Sequence, residues 1–294
     1  MEIKKILRSG FLLFDGAMGT MLQKHGLKSG ELPELYNIYH PEIVYDIHKN
    51  YLDAGADIVT TNTFGANRLR LKEYPYSVEE IIKKAVWIAR RAADDKFVAL
   101  DIGPTGQMME PNGSLSFDNV YTIFKEQVIA GKDSGVDLIL IETMFDLYEA
   151  KAAILAAKQN SNLPVFCTMT FQENMKTLTG TDPITMVQVL EELEVDVLGL
   201  NCSFGPKQLQ PIVDEIVKIA TIPIMVQPNA GLPKIKDGVF VYELTPSEFA
   251  DEIKKMAEKG VSIFGGCCGT TPDFIKAVKK YLIHIKFLWI NIYY

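Results

Sequence analysis

Three cysteines stand where soft-metal chemistry would need them. Cys202 closes an apolar run, DVLGLNCS (196–203), and the adjacent pair Cys267 and Cys268 closes another, VSIFGGCC (261–268). If these runs are the sixth and eighth strands of a closed parallel sheet, they share an inward phase and their thiols can converge above the strand ends. Zinc favours thiolates in a tetrahedron, and a catalytic zinc keeps three protein ligands and one open position. Spacing alone leaves two other readings open: small cysteines packed as apolar residues, or a strained vicinal disulfide. The glycines around the pair, GGCCG (265–269), favour a ligand, because a backbone without Cβ can crowd close to one. Cys167, in the middle of VFCTM, reads as core. A zinc with three thiolates carries a net charge of about −1, which suits it poorly to making hydroxide. It is suited to holding a fourth thiol, lowering that thiol's pKa and presenting it for alkyl transfer.

The elements that must position these residues repeat along the chain. Short apolar runs occur at 11–16, 57–64, 97–103, 137–143, 164–171, 196–203, 223–230 and 261–268, and amphipathic stretches separate them. The runs are rich in Val, Ile, Leu and Phe and do not alternate, as expected of strands buried on both faces. Pro183 and Pro246 mark helix starts, and Gly55, Gly135 and Gly260 mark helix ends in the related turns DAGAD, DSGVD and EKGVS. Eight strand–helix units predict a single (β/α)8 TIM barrel over residues 1–280, followed by an apolar C-terminal tail, 281–294. A doubly wound open sheet is the alternative, but no G-x-G-x-x-G follows the first run. In a barrel the strand C-termini face the active site. Those ends carry Asp15, Asn62, Thr63, Asp101, Glu142, Thr168, Thr170, Cys202, Asn229, Cys267 and Cys268. So many polar groups on apolar strands imply a ligand. None of the runs ends in lysine, which argues against Schiff-base chemistry.

Composition narrows the partners. The chain has 294 residues, 48% hydrophobic and 23% charged, so it can build its own core without disulfides. A net charge of −7 without a basic run argues against nucleic acid and anionic membranes. The N-terminal apolar stretch is too short for a secretory signal and the tail too short for a membrane span, which predicts a cytoplasmic protein.

The segments DGAMGT (15–20), NTFGAN (62–67), DIGPTG (101–106), IETMFDLYEAKAA (141–153), TGTDP (179–183), GLNCSFGP (199–206), QPNAGLP (227–233) and GGCCGTTP (265–272) resemble the zinc-dependent homocysteine S-methyltransferases. They are most similar to the homocysteine-binding module of cobalamin-dependent methionine synthase, over residues 8–280. The resemblance implies that Cys202, Cys267 and Cys268 bind Zn2+ and activate homocysteine sulfur as the fourth ligand, with Asn229 as a neutral ligand in its absence. It implies that Glu142 holds the substrate ammonium and that Asp15, Gly16, Ala17 and Thr63 border its amino-acid end. The methyl group would come from methylcobalamin, charged from methyltetrahydrofolate and supplied by a separate corrinoid and folate module. The D-x-H at Asp46–His48 lacks the glycine that a corrinoid-ligating loop carries three residues on. A stand-alone transferase using S-methylmethionine or another onium donor, and a non-catalytic homocysteine-binding zinc module, are the alternatives.

Overall fold

Parallel strands form where the apolar runs stand: β1 (Leu12–Leu13), β2 (Ile58–Thr60), β3 (Phe97–Ile102), β4 (Leu138–Met144), β5 (Val165–Met169), β6 (Val197–Cys202), β7 (Ile224–Pro228) and β8 (Ile263–Phe264). The computed structural model describes the backbone of residues 10–236 and 239–293 and the side chains of 10–234 and 241–283. The strands pair in chain order from β2 to β8, and β8 pairs with β1. A parallel bridge between Phe14 and Ile58 closes the ring, making a (β/α)8 barrel. β1 and β8 are shorter than their apolar runs because the chain turns away at Asp15 and at Gly265–Gly266.

The barrel helices are α1 (Pro41–Asp53), α2 (Val78–Ala93), α3 (Phe117–Ser134), α4 (Leu147–Asn160), α5 (Pro183–Glu192), α6 (Pro206–Ile216), α7 (Pro246–Glu258) and α8 (Pro272–Tyr293). Ser77 and Thr245 form capping boxes with Glu80 and Glu248, and Asp182 accepts the Thr185 N–H ahead of Pro183. Gly55, Gly135 and Gly260 take the left-handed conformation, with φ of 108°, 89° and 112°. The aspartates after two of these turns tie adjacent strands together. Asp57 accepts the Leu13 N–H and Asp137 the Val98 N–H, and Asp196 does the same for Val165.

Apolar residues fill two layers. Most lie between the strands and the helices. A smaller set, including Leu12, Phe14, Ile58, Ala99, Leu140, Phe166, Val197, Met225 and Ile263, plugs the barrel interior. An antiparallel ribbon (Lys234–Lys236 with Val239–Val241) follows β7, without a counterpart in the sequence reading. Helix α8 runs through the boundary expected at 280, with Leu282 buried. The side chains of the rest of the tail, residue 294 and the N-terminal residues 1–9, which include the start of the segment tested for a secretory signal, lie outside the described residues. Among the described residues no helix is long and apolar enough to cross a membrane.

Candidate metal centre and substrate cavity

Side chains alternate along a strand, so the residue two places beyond an interior core residue also faces inward. Above Ile58, Ala99, Leu140, Phe166 and Met225 this puts Thr60, Asp101, Glu142, Thr168 and Gln227 in one polar layer, with Asn201 four places beyond Val197. Thr60, Asp101, Glu142 and Gln227 line a cavity of about 350 Å³ at the C-terminal mouth of the barrel, with Asp15, Gly16, Ala17, Glu34, Cys202, Cys267 and Cys268.

One side of the cavity is carboxylic. Asp15 is 2% exposed, and its two oxygens accept the Thr60 N–H at 2.9 Å and hydroxyl at 3.1 Å. Burial outweighs those bonds and pushes its carboxyl up to about 7. Glu142 is pushed up to about 8 by burial, then by the charges of Cys202 and Asp15. Asp101 is held well above the usual carboxylate range by burial and by Glu142, Asp15 and Glu34. Glu34 is also raised by burial, although the Gly65 N–H donates to it at 2.5 Å and Arg70 attracts it. Among the described lining residues Arg70 is the one cation against these four carboxyls, and a positively charged guest would offset the burial and mutual repulsion that keep them protonated.

The other side is sulfur. Cys202 lies one place past inward-facing Asn201, so strict alternation would turn it out of the barrel, against the shared phase the sequence suggests. The backbone reverses it instead: Cys202 and Ser203 are both left-handed, with φ of 52° and 58°. Such conformations cost about 1–3 kcal/mol each and persist only where neighbours enforce them. Here Asn201 accepts from Thr143 N and Thr168 Oγ1 and donates to Thr143 Oγ1, while the Ser203 hydroxyl pairs with Thr170 and accepts the Phe171 N–H. Thr168 and Thr170 thus support the site from beneath. At β8 a Cβ on Gly266 would meet Thr270 Oγ1 at 2.4 Å, and Thr270 Oγ1 donates to the Cys267 carbonyl at 2.8 Å. This close turn explains the glycines before the cysteine pair.

The Sγ atoms of Cys202, Cys267 and Cys268 lie within 4.8 Å of one another, with Cys202 and Cys268 at 3.9 Å. A tetrahedral zinc with Zn–S near 2.3 Å holds its sulfurs about 3.8 Å apart, so the cluster fits that ion. All four cysteines are free, which sets aside the vicinal disulfide. Hydrogen bonds from Cys267 and Cys268 pull the Cys202 thiol down to about 3, whereas Cys268 is pushed up to about 12 by its bond to Cys202, and Cys267 is held well above the usual thiol value by its bonds to Cys202 and Cys268. Three sulfurs this close need a cation among them to ionise together. Asn229 is 4% exposed, its side chain bonds Cys202, and its Oδ1 has no partner, leaving an amide oxygen for a metal.

Thr63 is not on the cavity wall. It is fully buried, and its hydroxyl donates to the Asp101 carbonyl at 2.7 Å. Asn62 lines the cavity and its amide donates to the Pro33 carbonyl, holding the turn that carries Glu34. His48 is buried in α1, where burial lowers it to about 4. Four contributors had not been singled out. Gln227 and Asn201 are signalled by their strand phase, but Glu34 and Arg70 sit in irregular segments that carry no such signal. Tyr242 is a fifth: its ring packs where a Cβ on Gly269 would fall, and the charge of Cys268 adds to the burial that raises its hydroxyl.

The profile of the homocysteine S-methyltransferase family matches residues 12–282. The chain is 34% identical to the methionine synthase of Mycobacterium tuberculosis over 97% of this chain and 26% of that protein. It is 34% identical to the methionine synthase of Mycobacterium leprae over 94% of this chain and 25% of that protein. The chain therefore spans about a quarter of the length of these curated relatives. The metallated form of the homocysteine methyltransferase MmuM from Escherichia coli shares the fold, with a TM-score of 0.79 at 24% identity, over 93% of this chain and 97% of that one. With the profile match running from β1 into α8, the chain belongs to the homocysteine S-methyltransferase family.

Proposed function

We propose that this barrel methylates homocysteine on sulfur to give methionine. The observation that carries the reading is the three-thiol cluster opening onto an acidic cavity. Cys202, Cys267 and Cys268 would hold a zinc ion, with Asn229 beside it as a neutral donor when no substrate is bound. A zinc there supplies the Lewis acidity that lowers the pKa of a substrate thiol and keeps its sulfur nucleophilic. The protein orients the reactants: Glu142 meets the homocysteine ammonium, and the Asp15–Ala17 turn borders the amino-acid end. Thr63 acts from behind, through the Asp101 backbone. In the transfer, sulfur forms a bond to the methyl carbon, the thiol proton is released, and the donor leaves with the electrons of its broken bond. Orientation can contribute roughly 7–11 kcal/mol in favourable cases.

The methyl donor we favour is methylcobalamin, charged from methyltetrahydrofolate and brought by a corrinoid and folate module outside this barrel. Support comes from the match to about a quarter of the methionine synthases. The acidic wall favours a second reading, an onium donor such as S-methylmethionine, whose charge the carboxyls would attract. Free thiols are best kept in a reducing compartment, so we place the protein in the cytoplasm.

The test starts with zinc per chain on reduced protein, wild type beside Cys202→Ala. About one zinc is expected in the first and almost none in the second. Zinc-loaded wild type is then given homocysteine with methylcobalamin or S-methylmethionine, and methionine is measured. Protein that stays metal-free after reduction and reloading would end the methyltransferase reading. Bound zinc with no methionine from either donor would favour a homocysteine-binding module.

A further inference from the structure

Methyl transfer at this centre would bring an activated carbon close to the protein's own sulfurs as well as the substrate's. Any thiolate within reach of that carbon is a nucleophile. If Cys268 attacked, a C–S bond would form to the protein and the donor would leave with the electron pair of its broken bond. The cluster would be left with a thioether in place of one thiolate. A centre that turns over therefore needs its own sulfurs to be poorer nucleophiles than the sulfur it presents.

Hydrogen bonds can make them so, because a thiolate whose charge is stabilised attacks more slowly. Cys202 receives the Ser203 N–H and the Asn229 side chain. Cys268 draws its donor from further along the chain. After β7 the backbone makes the ribbon at 234–241 and comes back at Tyr242, and both legs of this excursion are pinned beside the cluster. The Ala230 N–H donates to the Cys268 carbonyl at 2.9 Å, and the Leu244 N–H donates to the Ala230 carbonyl at 3.4 Å. Lys234 pairs with Glu243 between the same two legs. The returning Tyr242 ring packs on Gly269, where a Cβ would fall 2.2 Å from its Cγ. From there its hydroxyl donates to the Cys268 thiol, and the charges of Cys202 and Cys267 also reach it. Cys268 lines the substrate cavity but Tyr242 does not, so the tyrosine meets the sulfur from behind. A tyrosine hydroxyl has a single proton to donate, and here it goes to sulfur.

We propose that Tyr242 is a positioning residue that holds a hydrogen bond on the Cys268 thiolate from outside the cavity, damps its nucleophilicity and so directs the methyl group to the substrate sulfur. The proposal rests on the methyltransferase reading above.

The experiment treats reduced, zinc-loaded full chain with methyl iodide in the absence of homocysteine. Peptide mass spectrometry follows methylation of Cys202, Cys267 and Cys268 separately, and a chromophoric chelator follows released zinc. Tyr242→Phe keeps the ring on Gly269 and removes only the hydroxyl. It should start with the same zinc content as wild type, then methylate Cys268 roughly 3–10-fold faster, the scale of a single hydrogen bond. Zinc release should quicken in step, while Cys202 and Cys267 stay within about twofold. An unchanged Cys268 rate would overturn the assignment. So would a rise shared by all three cysteines, or a variant that folds without zinc, since either marks a loosened site. Thermal melting checks the fold, and para-fluorophenylalanine at the same position replaces the variant if it fails to fold. Wild type that stays metal-free after reloading would overturn the methyltransferase reading and this proposal with it. Zinc-loaded wild type whose Cys268 reacts as fast as the variant's would overturn the proposal alone.

Discussion

Asp101 and Glu142 reach the cavity by continuing the alternation of β3 and β4, whereas Cys202 reaches it because β6 breaks its own. On the carboxylic side the polar residues replace the next apolar residue of the barrel interior; β3 is regular through Asp101, and β4 keeps its phase to Glu142 before its register shifts at a left-handed Thr143, with φ of 59°. On the sulfur side the backbone is forced. Two consecutive non-glycine residues are left-handed at Cys202 and Ser203, and Gly265 and Gly266 pass so close to Phe14 and Thr270 that a Cβ on either would clash. A carboxyl can meet any of an ammonium's three N–H donors, so the backbone behind it needs no special turn. A metal centre tolerates only tenths of an ångström, so its sulfurs need dedicated scaffolding.

The largest effect expected from this division separates metal from substrate. Cys267→Ala should leave the barrel folded but nearly zinc-free, since two thiolates and an amide hold zinc poorly. Glu142→Gln should keep about one zinc per chain. Elemental analysis of both variants, with circular dichroism as the folding check, decides it. If Glu142→Gln also lost its zinc, the two sides would be one unit.

The next effect concerns the buried carboxyls. Asp15 titrates at about 7 in the fold against 3.8 ordinarily. Between those values the folded chain keeps a proton that the unfolded chain has lost. Its contribution is therefore fully present below about pH 4 and falls away as pH rises through 7. The loss is at most about 4 kcal/mol by the usual conversion. Urea unfolding of metal-free protein at pH 5 and 7.5 should show stability falling with pH, and Asp15→Asn should flatten that fall. A variant with an unchanged pH slope would show that burial of Asp15 costs little.

A smaller loss is expected from the scaffold under the sulfur. Asn201→Ala removes three hydrogen bonds and strands the Thr143 N–H, which should cost about 3 kcal/mol in urea unfolding and loosen zinc as well. Loss of stability with unchanged zinc affinity would mean that Cys202 keeps its left-handed turn without help.

These same contrasts explain what the sequence could reveal. The barrel was legible because each strand is an apolar run and each helix carries its own start and stop signals. Glu142 was legible by strand position, and Asp101 and Gln227 stood in the same phase. The three cysteines were visible as chemistry and through the family resemblance, but not by geometry. The turn at Cys202 depends on Asn201, Thr143, Thr168 and Ser203, which meet only when β4, β5 and β6 pair. Glu34, Arg70 and Tyr242 come from loops whose path is set by contacts far away in the chain. Thr63 was marked by its strand-end position and by the family resemblance, neither of which shows that its hydroxyl lies on the Asp101 carbonyl and off the cavity wall.

The smallest expected effect is at Cys167, the cysteine of regular backbone. It sits within β5, fully buried, and burial pushes its thiol up to about 12. It is packed as a small apolar residue, so Cys167→Ala should cost about 1 kcal/mol and leave zinc content unchanged. Thiol labelling gives the sharper check. Native metal-free protein should react at up to three cysteines, and the fourth should appear only after denaturation. Four rapid labels in the native state would mean that β5 opens readily. The barrel wall beside the metal centre would then be less rigid than its buried strands imply, and the scaffolding argument for Cys202 would weaken with it.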